Sequence, residues 1–289
     1  MSKLKPKLFS VMKNYNRQMF YKDVISGIIV AIIALPLSIA LAIASGVGPE
    51  QGLYTAIIAG FIISFLGGSR VQIGGPTGAF MVIVFGIIVE FGYEGLVIAT
   101  IMAGVLMIIL GFLKLGSFIK FIPYPITTGF TSGIALVIFS SQIKDFFGMQ
   151  IDVVPSEFLA KWGSYFNHLH TIDLTTTLIG ILSILIIIFF PRVSKKIPGA
   201  FVALIVSSLL VLIFNLDVAT IGSIFGEISN KLPTFSAPHI TMDKVKLLMP
   251  SAIVIALLGS IESLLCAVVS DGMIGSKHRS NMELVAQGT

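Results

Sequence analysis

Long apolar runs separated by short polar stretches recur along this chain, and their lengths predict a series of membrane-crossing helices. The first covers residues 24–45, with Asp23 as its N-cap, a kink at Pro36, and Ser38 placed to satisfy the carbonyl that the proline frees. The turn Gly46-Val-Gly-Pro49 leads to a second run over 51–66. Further on, a fourth run ends near Leu113, a fifth spans 124–143, a sixth 171–190, a seventh 198–216 and an eighth 247–270. Residues 144–170 and 217–246 are expected as polar connections, the first holding the single Trp162 as an interfacial anchor, and residues 277–289 as a polar end. Thr127, Thr128, Gly129, Thr131, Ser132 and Gly133 line the first half of the fifth run, a density of small and hydroxyl residues that serves close helix packing.

The third run breaks the pattern. In GGSRVQIGGPTGAFMVIVFGIIVE, residues 67–90, the glycines at 67, 68, 74 and 75 and Pro76 forbid a stable helix through the first half, so that part is expected to be extended. From Thr77 to Glu90 the run is apolar again but only about 21 Å long as a helix, against roughly twenty residues for a full crossing. A short loop with Gly92 and Gly95 on either side of Tyr93 and Glu94 follows. The helix N-terminus is therefore expected at membrane depth, where unpaired N–H groups and the positive end of the dipole favour an anion. Pro76 suits the first turn, Thr77 adds a hydroxyl donor, and Gly78 and Ala79 leave the backbone open to close approach. Such non-helical backbone is tolerated only when buried in protein or lining a watery cavity, which is how broken helices of secondary carriers build central binding sites.

Composition narrows the class. Hydrophobic residues make up 55% of the chain, charged residues 11%, and the mean hydropathy is +0.99, which excludes an ordinary soluble domain and defines an all-α polytopic membrane protein, with membrane lipid as its surroundings. The net charge of +5 is scattered among loops, so it speaks for topology and not for a nucleic-acid partner. With an inside start, only Lys144, Lys161, Lys231, Lys244 and Lys246 of the 19 basic residues fall outside. That excess predicts a cytoplasmic basic N-terminus, residues 1–22, ahead of a transmembrane region, residues 23–289, and the multi-pass protein is expected in the inner (plasma) membrane. Residues 9–20 fit an interfacial helix or a solvated arm equally well. The first apolar run starts too late and is too long for a signal peptide. A lone Cys266 and four loop histidines, His168, His170, His239 and His278, offer no disulfide and no metal cluster, and no nucleophile with a base at useful spacing, so neither a cofactor nor an enzyme is expected.

Glu262 is the one acid well inside a full apolar run. A carboxylate there must face protein or a cavity and be paired or protonated. Helical spacing puts Gly259, Glu262, Cys266 and Val269 on one face, with Gly259 expected to admit another backbone beside the acid. Two readings stand: a coupling site for H⁺ or Na⁺ near the anion, or an acid satisfied by Ser260 or Ser263. Asp271 and Glu90, near run ends, are expected to be interfacial. Residues 26–45 echo residues 251–270 at Ser26/Ser251, Ala31/Ala256, Ser38/Ser263 and Ser45/Ser270, as two inverted repeats require.

Pro49-Glu-Gln-Gly-Leu-Tyr-Thr55, Gly67-Gly-Ser-Arg70 with Gly75-Pro-Thr-Gly78, and Gly259-Ser-Ile-Glu-Ser263 followed by Asp271-Gly-Met and Arg279-Ser-Asn resemble, in order and spacing, the SulP anion transporters. The likeness runs from Lys22 to the end. It implies fourteen segments in two inverted seven-segment repeats, a core and a gate domain, a following STAS domain in many members, and a homodimer when full length. It implies secondary active transport of a small inorganic anion, sulfate first or bicarbonate, coupled to H⁺ or Na⁺. An anion channel or exchanger of the same build, or a nucleobase carrier sharing the inverted-repeat plan, are the alternatives. By resemblance, Thr77, Gly78 and Ala79 form one end of the anion site, and Glu262 with Cys266 occupies the coupling-ion position. Glu and a thiol there make a poorer site for a hard cation than Asp and a hydroxyl, which leans toward protons. The chain stops after segment eight, so the expectation is the first repeat plus segment eight of a 7+7 transporter, a fragment lacking segments nine to fourteen.

Overall fold

The computed structural model describes residues 4–75, 77–117, 124–152, 154–155, 157–194, 197–226 and 237–289, and every regular element among them is helical. Lys3, Pro76, Lys120, Lys195, Lys196 and Lys231, and the side chains of Thr127 and Thr131, all of which carry expectations above, lie outside the described residues. In chain order, α1 (Leu8–Val11) and α2 (Arg17–Ala44) precede α3 (Pro49–Tyr54), a π turn at Thr55–Ala59 and α4 (Gly60–Leu66). A 3-10 turn, Gly78–Phe80, opens α5 (Met81–Phe112). There follow α6 (Tyr124–Phe146), α7 (Phe158–Asn167), α8 (Leu174–Phe189), α9 (Gly199–Phe214), α10 (Ile221–Phe225), α11 (Met242–Ile274) and α12 (Ser280–Gly288).

Among the described residues, five stretches are long and apolar enough to cross a bilayer: Arg17–Ala44, Pro49–Leu66, Gly78–Phe112, Leu174–Arg192 and Met242–Ile274. Each of the eight expected runs contains a helix, the third only from Gly78 onward, and the boundaries shift for local reasons. Asn16, not Asp23, caps α2, accepting the Met19 N–H at 2.8 Å, so the helix starts inside the basic lead-in. The eighth run grows at both ends because Thr241 caps α11 and accepts the Lys244 N–H, while Gly275 in the left-handed region (φ 64°) ends it. The third and fourth runs join as Gly78–Phe112, and α9 is only 16 residues, about 24 Å. On the expected packing face of α6, Thr128, Gly129, Ser132 and Gly133 are exposed, and a methyl at Gly129 or Gly133 meets nothing within 4 Å among the described residues.

The chain forms two compact units. One comprises residues 1–21, 38–131 and 230–289. Its core lies where α5, α11 and α12 meet, with Ala103, Met107, Ala256, Leu264 and Leu284 in one cluster and Ile87, Ile98, Ala99 and Leu248 in another. The supposed polar end is thus a buried helix, with Leu284 2% and Ala286 1% exposed. It seats on two glycines of α5: a methyl on Gly104 would lie 2.6 Å from the Gly288 carbonyl oxygen, and one on Gly111 2.8 Å from that of Asn281. Close backbone approach over small residues is how helices associate where lipid removes the hydrophobic drive. Gly111→Leu is therefore expected to destabilise this unit by about 1–3 kcal/mol, read as a lowered thermal midpoint in detergent, whereas a leucine at Gly129 leaves the midpoint unchanged.

The other unit comprises residues 22–37 and 132–229. Here α8, capped by Asp173 through the Thr176 N–H at 2.7 Å, turns through Phe190–Arg192 and packs against α9, where Gly199 lies on the Ile187 backbone. The stretch 144–170 is more than a polar connection: α7 closes a small core of Met149, Ile151 and Tyr165. Tyr165 donates to the Ser140 carbonyl at 2.9 Å, and burial, reinforced by the Asp145 charge, pushes its hydroxyl up to about 12, so it remains a donor at any physiological pH. Trp162, expected at an interface, donates to Ser140 Oγ at 3.1 Å and packs edge-on to Tyr165.

Candidate functional site

The glycine-rich stretch is non-helical, as glycine's backbone cost requires: residues 67–75 run as an arm alongside α4 and α11. A side chain on Gly74 would collide with Ile63 of α4, and one on Gly68 with the Arg279 carbonyl, so glycine is needed for these close approaches. Helical geometry resumes at Thr77, an extended N-cap (φ −135°, ψ 147°) whose Oγ1 accepts the Ala79 N–H at 3.3 Å. The Phe80 N–H donates to the Thr77 carbonyl at 3.3 Å. From Gly78 the helical path reaches Phe91, about 21 Å, before Gly92 (φ 69°, ψ −178°) breaks it in a conformation open to glycine alone. The expected loop at 92–95 is a single-residue break; Tyr93, Glu94 and Gly95 are helical.

Opposite this helix start stands Glu262. It lies 12 residues before the end of α11 at Ile274, about 18 Å along an uninterrupted apolar helix. Thr77 Oγ1 donates to Glu262 Oε1 at 2.5 Å, so the start of the short helix is held deep along α11 and not at its end. Glu262 Oε2 is buried and has no hydrogen-bond partner among the described residues. Gln72 approaches from the arm, its Nε2 donating to the Ser263 carbonyl at 3.1 Å and to Ser263 Oγ at 3.0 Å, and its Oε1 is a second buried acceptor without a partner among the described residues.

Several expectations change here. Thr77 is not a free donor: its proton goes to Glu262 and its oxygen takes the Ala79 N–H, which leaves Gly78, buried, as the amide without a partner among the described residues. Neither Ser260 nor Ser263 satisfies Glu262. Ser260 bonds back to the Ala256 carbonyl at 2.6 Å, as helical serines do, and Ser263 serves Gln72. Gly259 admits side chains, not a backbone, with Phe80 and Met107 against it. The face predicted for α11 divides, since Cys266 and Val269 are exposed and, among the described residues, no hydrogen bond joins Cys266 to Glu262.

One acid escaped the sequence reading. Glu283 of α12 is fully buried, and its Oε2 accepts the N–H groups of Gly68 at 2.8 Å and Ser69 at 3.2 Å, while Ser263 Oγ donates to Oε1 at 3.4 Å. The signal was the spacing Ser280-x-x-Glu283 ahead of Leu284, a helix-start pattern inside what looked like a polar tail. Further toward the end of α11, Lys7 donates to the Lys277 carbonyl at 2.6 Å, Arg279 to Ser10 Oγ at 2.7 Å, and Asp271, expected to be interfacial, holds His278 at 2.7 Å. At the opposite end of α11, Lys244 pairs with Glu94 at 3.0 Å. Segments that the charge pattern assigned to one side thus meet at one end of α11, and those assigned to the other side at its other end. Among the described residues no cluster of metal-ligating side chains occurs.

An all-helical protein with several bilayer-length apolar helices, a helix start held deep within it and a carboxylate facing that start belongs among polytopic membrane proteins of the transporter type. The chain is a member of the sulfate permease family, whose model matches residues 20–289. It is 49% identical over 277 residues to the putative sulfate transporter YvdB of Bacillus subtilis (strain 168), a match covering 96% of this chain and 52% of that protein. It is 33% identical to the bicarbonate transporter BicA of Picosynechococcus sp. over 92% of this chain and 48% of that one. The solved transmembrane domain of a cyanobacterial BicA superposes with a TM-score of 0.82 at 30% identity, covering 95% of this chain and 71% of that domain. These relatives are named transporters, not enzymes, and the chain spans about half the length of the curated relatives it matches.

Proposed function

We propose that this chain forms part of a secondary active carrier of a small inorganic anion, sulfate first and bicarbonate second. The observation that carries the reading is the start of the short helix, held against Glu262 within the apolar span, with the Gly78 amide and one carboxylate oxygen both unpartnered among the described residues. Gly78 supplies an amide for the anion, Thr77 and Ala79 hold the helix start in shape, and Glu262 carries the coupling ion. The exposed thiol of Cys266 one turn on is a soft ligand ill-suited to Na⁺, so a proton on Glu262 is the preferred coupling ion. The remaining parts of the proposal are a 7+7 inverted-repeat plan with residues 23–289 as its first portion, a cytoplasmic basic N-terminus over residues 1–22, a plasma-membrane location and a homodimer of the intact carrier.

The test is uptake of radiolabelled sulfate and bicarbonate by the intact carrier in proteoliposomes. Accumulation against the anion gradient when a pH or Na⁺ gradient is imposed is the expected result. Purely downhill flux identifies an anion channel instead, and inhibition by uracil with no inhibition by sulfate identifies a nucleobase carrier.

A further inference from the structure

The arm has no regular secondary structure of its own over its described residues, 68–75, yet it must deliver the helix start at Thr77 to one place on α11. Its anchorage is polar and comes from outside the expected site. Glu283 holds the arm's first amides, those of Gly68 and Ser69, on a single carboxylate oxygen, and with the other oxygen it accepts from Ser263. Ser263 in turn receives Gln72 in mid-arm and sits next to Glu262, to which Thr77 at the arm's far end is bonded. Glu283 therefore joins three elements through the two oxygens of one side chain: the arm, α11 and its own helix α12.

The surroundings leave no ordinary substitute for it. Glu283 is wholly inaccessible, and its helix is seated on α5 through Gly104 and Gly111, so the carboxylate cannot retreat. Gly67 and Gly68 pass so close to α12 that a side chain on either would crowd Glu283 or the Arg279 carbonyl, and the Arg279 N–H adds a backbone bond to the Gly68 carbonyl at 2.9 Å. Nearby positive charge is spent elsewhere, with the Arg279 guanidinium on the Lys5 and Pro6 carbonyls and Ser10 Oγ. Besides the two amides and the Ser263 hydroxyl, the Gln287 side chain of its own helix bonds to Glu283, and an acceptor that holds buried backbone amides fixes geometry because each amide it leaves would be stranded without water.

We propose that Glu283 is the positioning residue of the candidate site: it fixes the root of the 68–77 arm, and through Ser263 and Gln72 it sets where Thr77 meets Glu262 and where the Gly78 amide lies. It touches neither anion nor coupling ion. Its transport readout rests on the anion-carrier reading above, whereas its effect on the arm does not.

The experiment compares Glu283→Ala and Glu283→Gln with the unaltered intact carrier in the same lipid, by amide hydrogen exchange and by sulfate uptake. Glutamine keeps an acceptor for the two amides and presents an NH₂ to Ser263 Oγ. In the alanine variant, exchange across residues 68–77 is expected to rise about tenfold or more while α5 and α11 stay at the original rate, and the KM for sulfate to rise about tenfold with a smaller change in maximal rate. The glutamine variant is expected to hold both within about threefold of the original. Unchanged exchange over 68–77 in the alanine variant overturns the proposal. So does a uniform rise over α5, α11 and the arm, which marks mere glue, or a glutamine variant as impaired as the alanine one. Should the alanine variant fail to fold, Ser263→Ala, which removes the hydroxyl that joins Glu283 to Gln72 while leaving both amide bonds and the Gln72 bond to the residue 263 carbonyl, must raise exchange over residues 72–77 more than at 68–69, and an even rise overturns the proposal. If no form transports sulfate, the carrier reading fails while the exchange comparison still decides the role of Glu283.

Discussion

Glu262→Gln is expected to leave the intact carrier folded and its uptake of labelled sulfate indifferent to an imposed ion gradient. The amide retains an oxygen where Oε1 accepts from Thr77, so the start of the short helix stays in place. What changes is the other position: the buried Oε2, unpartnered among the described residues, becomes an NH₂ that neither takes up a proton nor ligates a cation. The charge is removed with little change of shape, so loss of packing cannot explain the outcome. Gradient-driven accumulation is expected to fall about a hundredfold, the scale of losing one interaction of about 3 kcal/mol with a charged partner, while downhill exchange persists. Uptake that keeps its full dependence on the gradient would remove Glu262 from coupling.

Thr77→Val is the second large effect. Valine matches threonine in shape but leaves Glu262 with two unpartnered oxygens and the Ala79 N–H without its acceptor. A hydrogen bond to a charged group contributes about 1.5–3 kcal/mol and an N-cap about 1 kcal/mol. Half-saturation for the anion is therefore expected to rise about ten- to a hundredfold, with a lowered thermal midpoint as the independent sign of the lost cap. Thr77→Ser keeps both bonds and is expected to behave as the original protein. Equal affinity in the valine and serine variants would show that the hydroxyl has no part in holding the site.

Much of this architecture was legible in the order of residues. Apolar runs of bilayer length located every long helix, because a chain in lipid must satisfy its backbone internally and has few alternatives to the helix. The glycines at 67, 68, 74 and 75 marked non-helical backbone, and the short run after them marked a helix that ends early, as Gly92 bears out. A lone carboxylate in an apolar run marked Glu262 as a residue needing a partner. The partner itself was not legible. Ser260 and Ser263 were the near choices along the helix, yet the hydroxyl that reaches Glu262 is Thr77, 185 positions away, and helical periodicity carries no information about a second strand of chain. The same limit hid Glu283, which looked like one polar residue of a tail until α12 was found packed on Gly104 and Gly111.

What the sequence alone determined is therefore local: which stretches form helices, where glycine interrupts them, and that an acid lies among apolar neighbours, each set by backbone cost and by the absence of water in lipid. What only the tertiary structure decided is pairing and depth. The start of the short helix sits part-way along α11 because Thr77 and Glu262 satisfy each other there, and the arm reaches that point because Glu283, Ser263 and Gln72 occupy the buried polar groups along its path. Buried hydrogen-bonding groups must find partners wherever the fold brings them together, and that requirement acts across space, beyond the reach of any pattern along the chain.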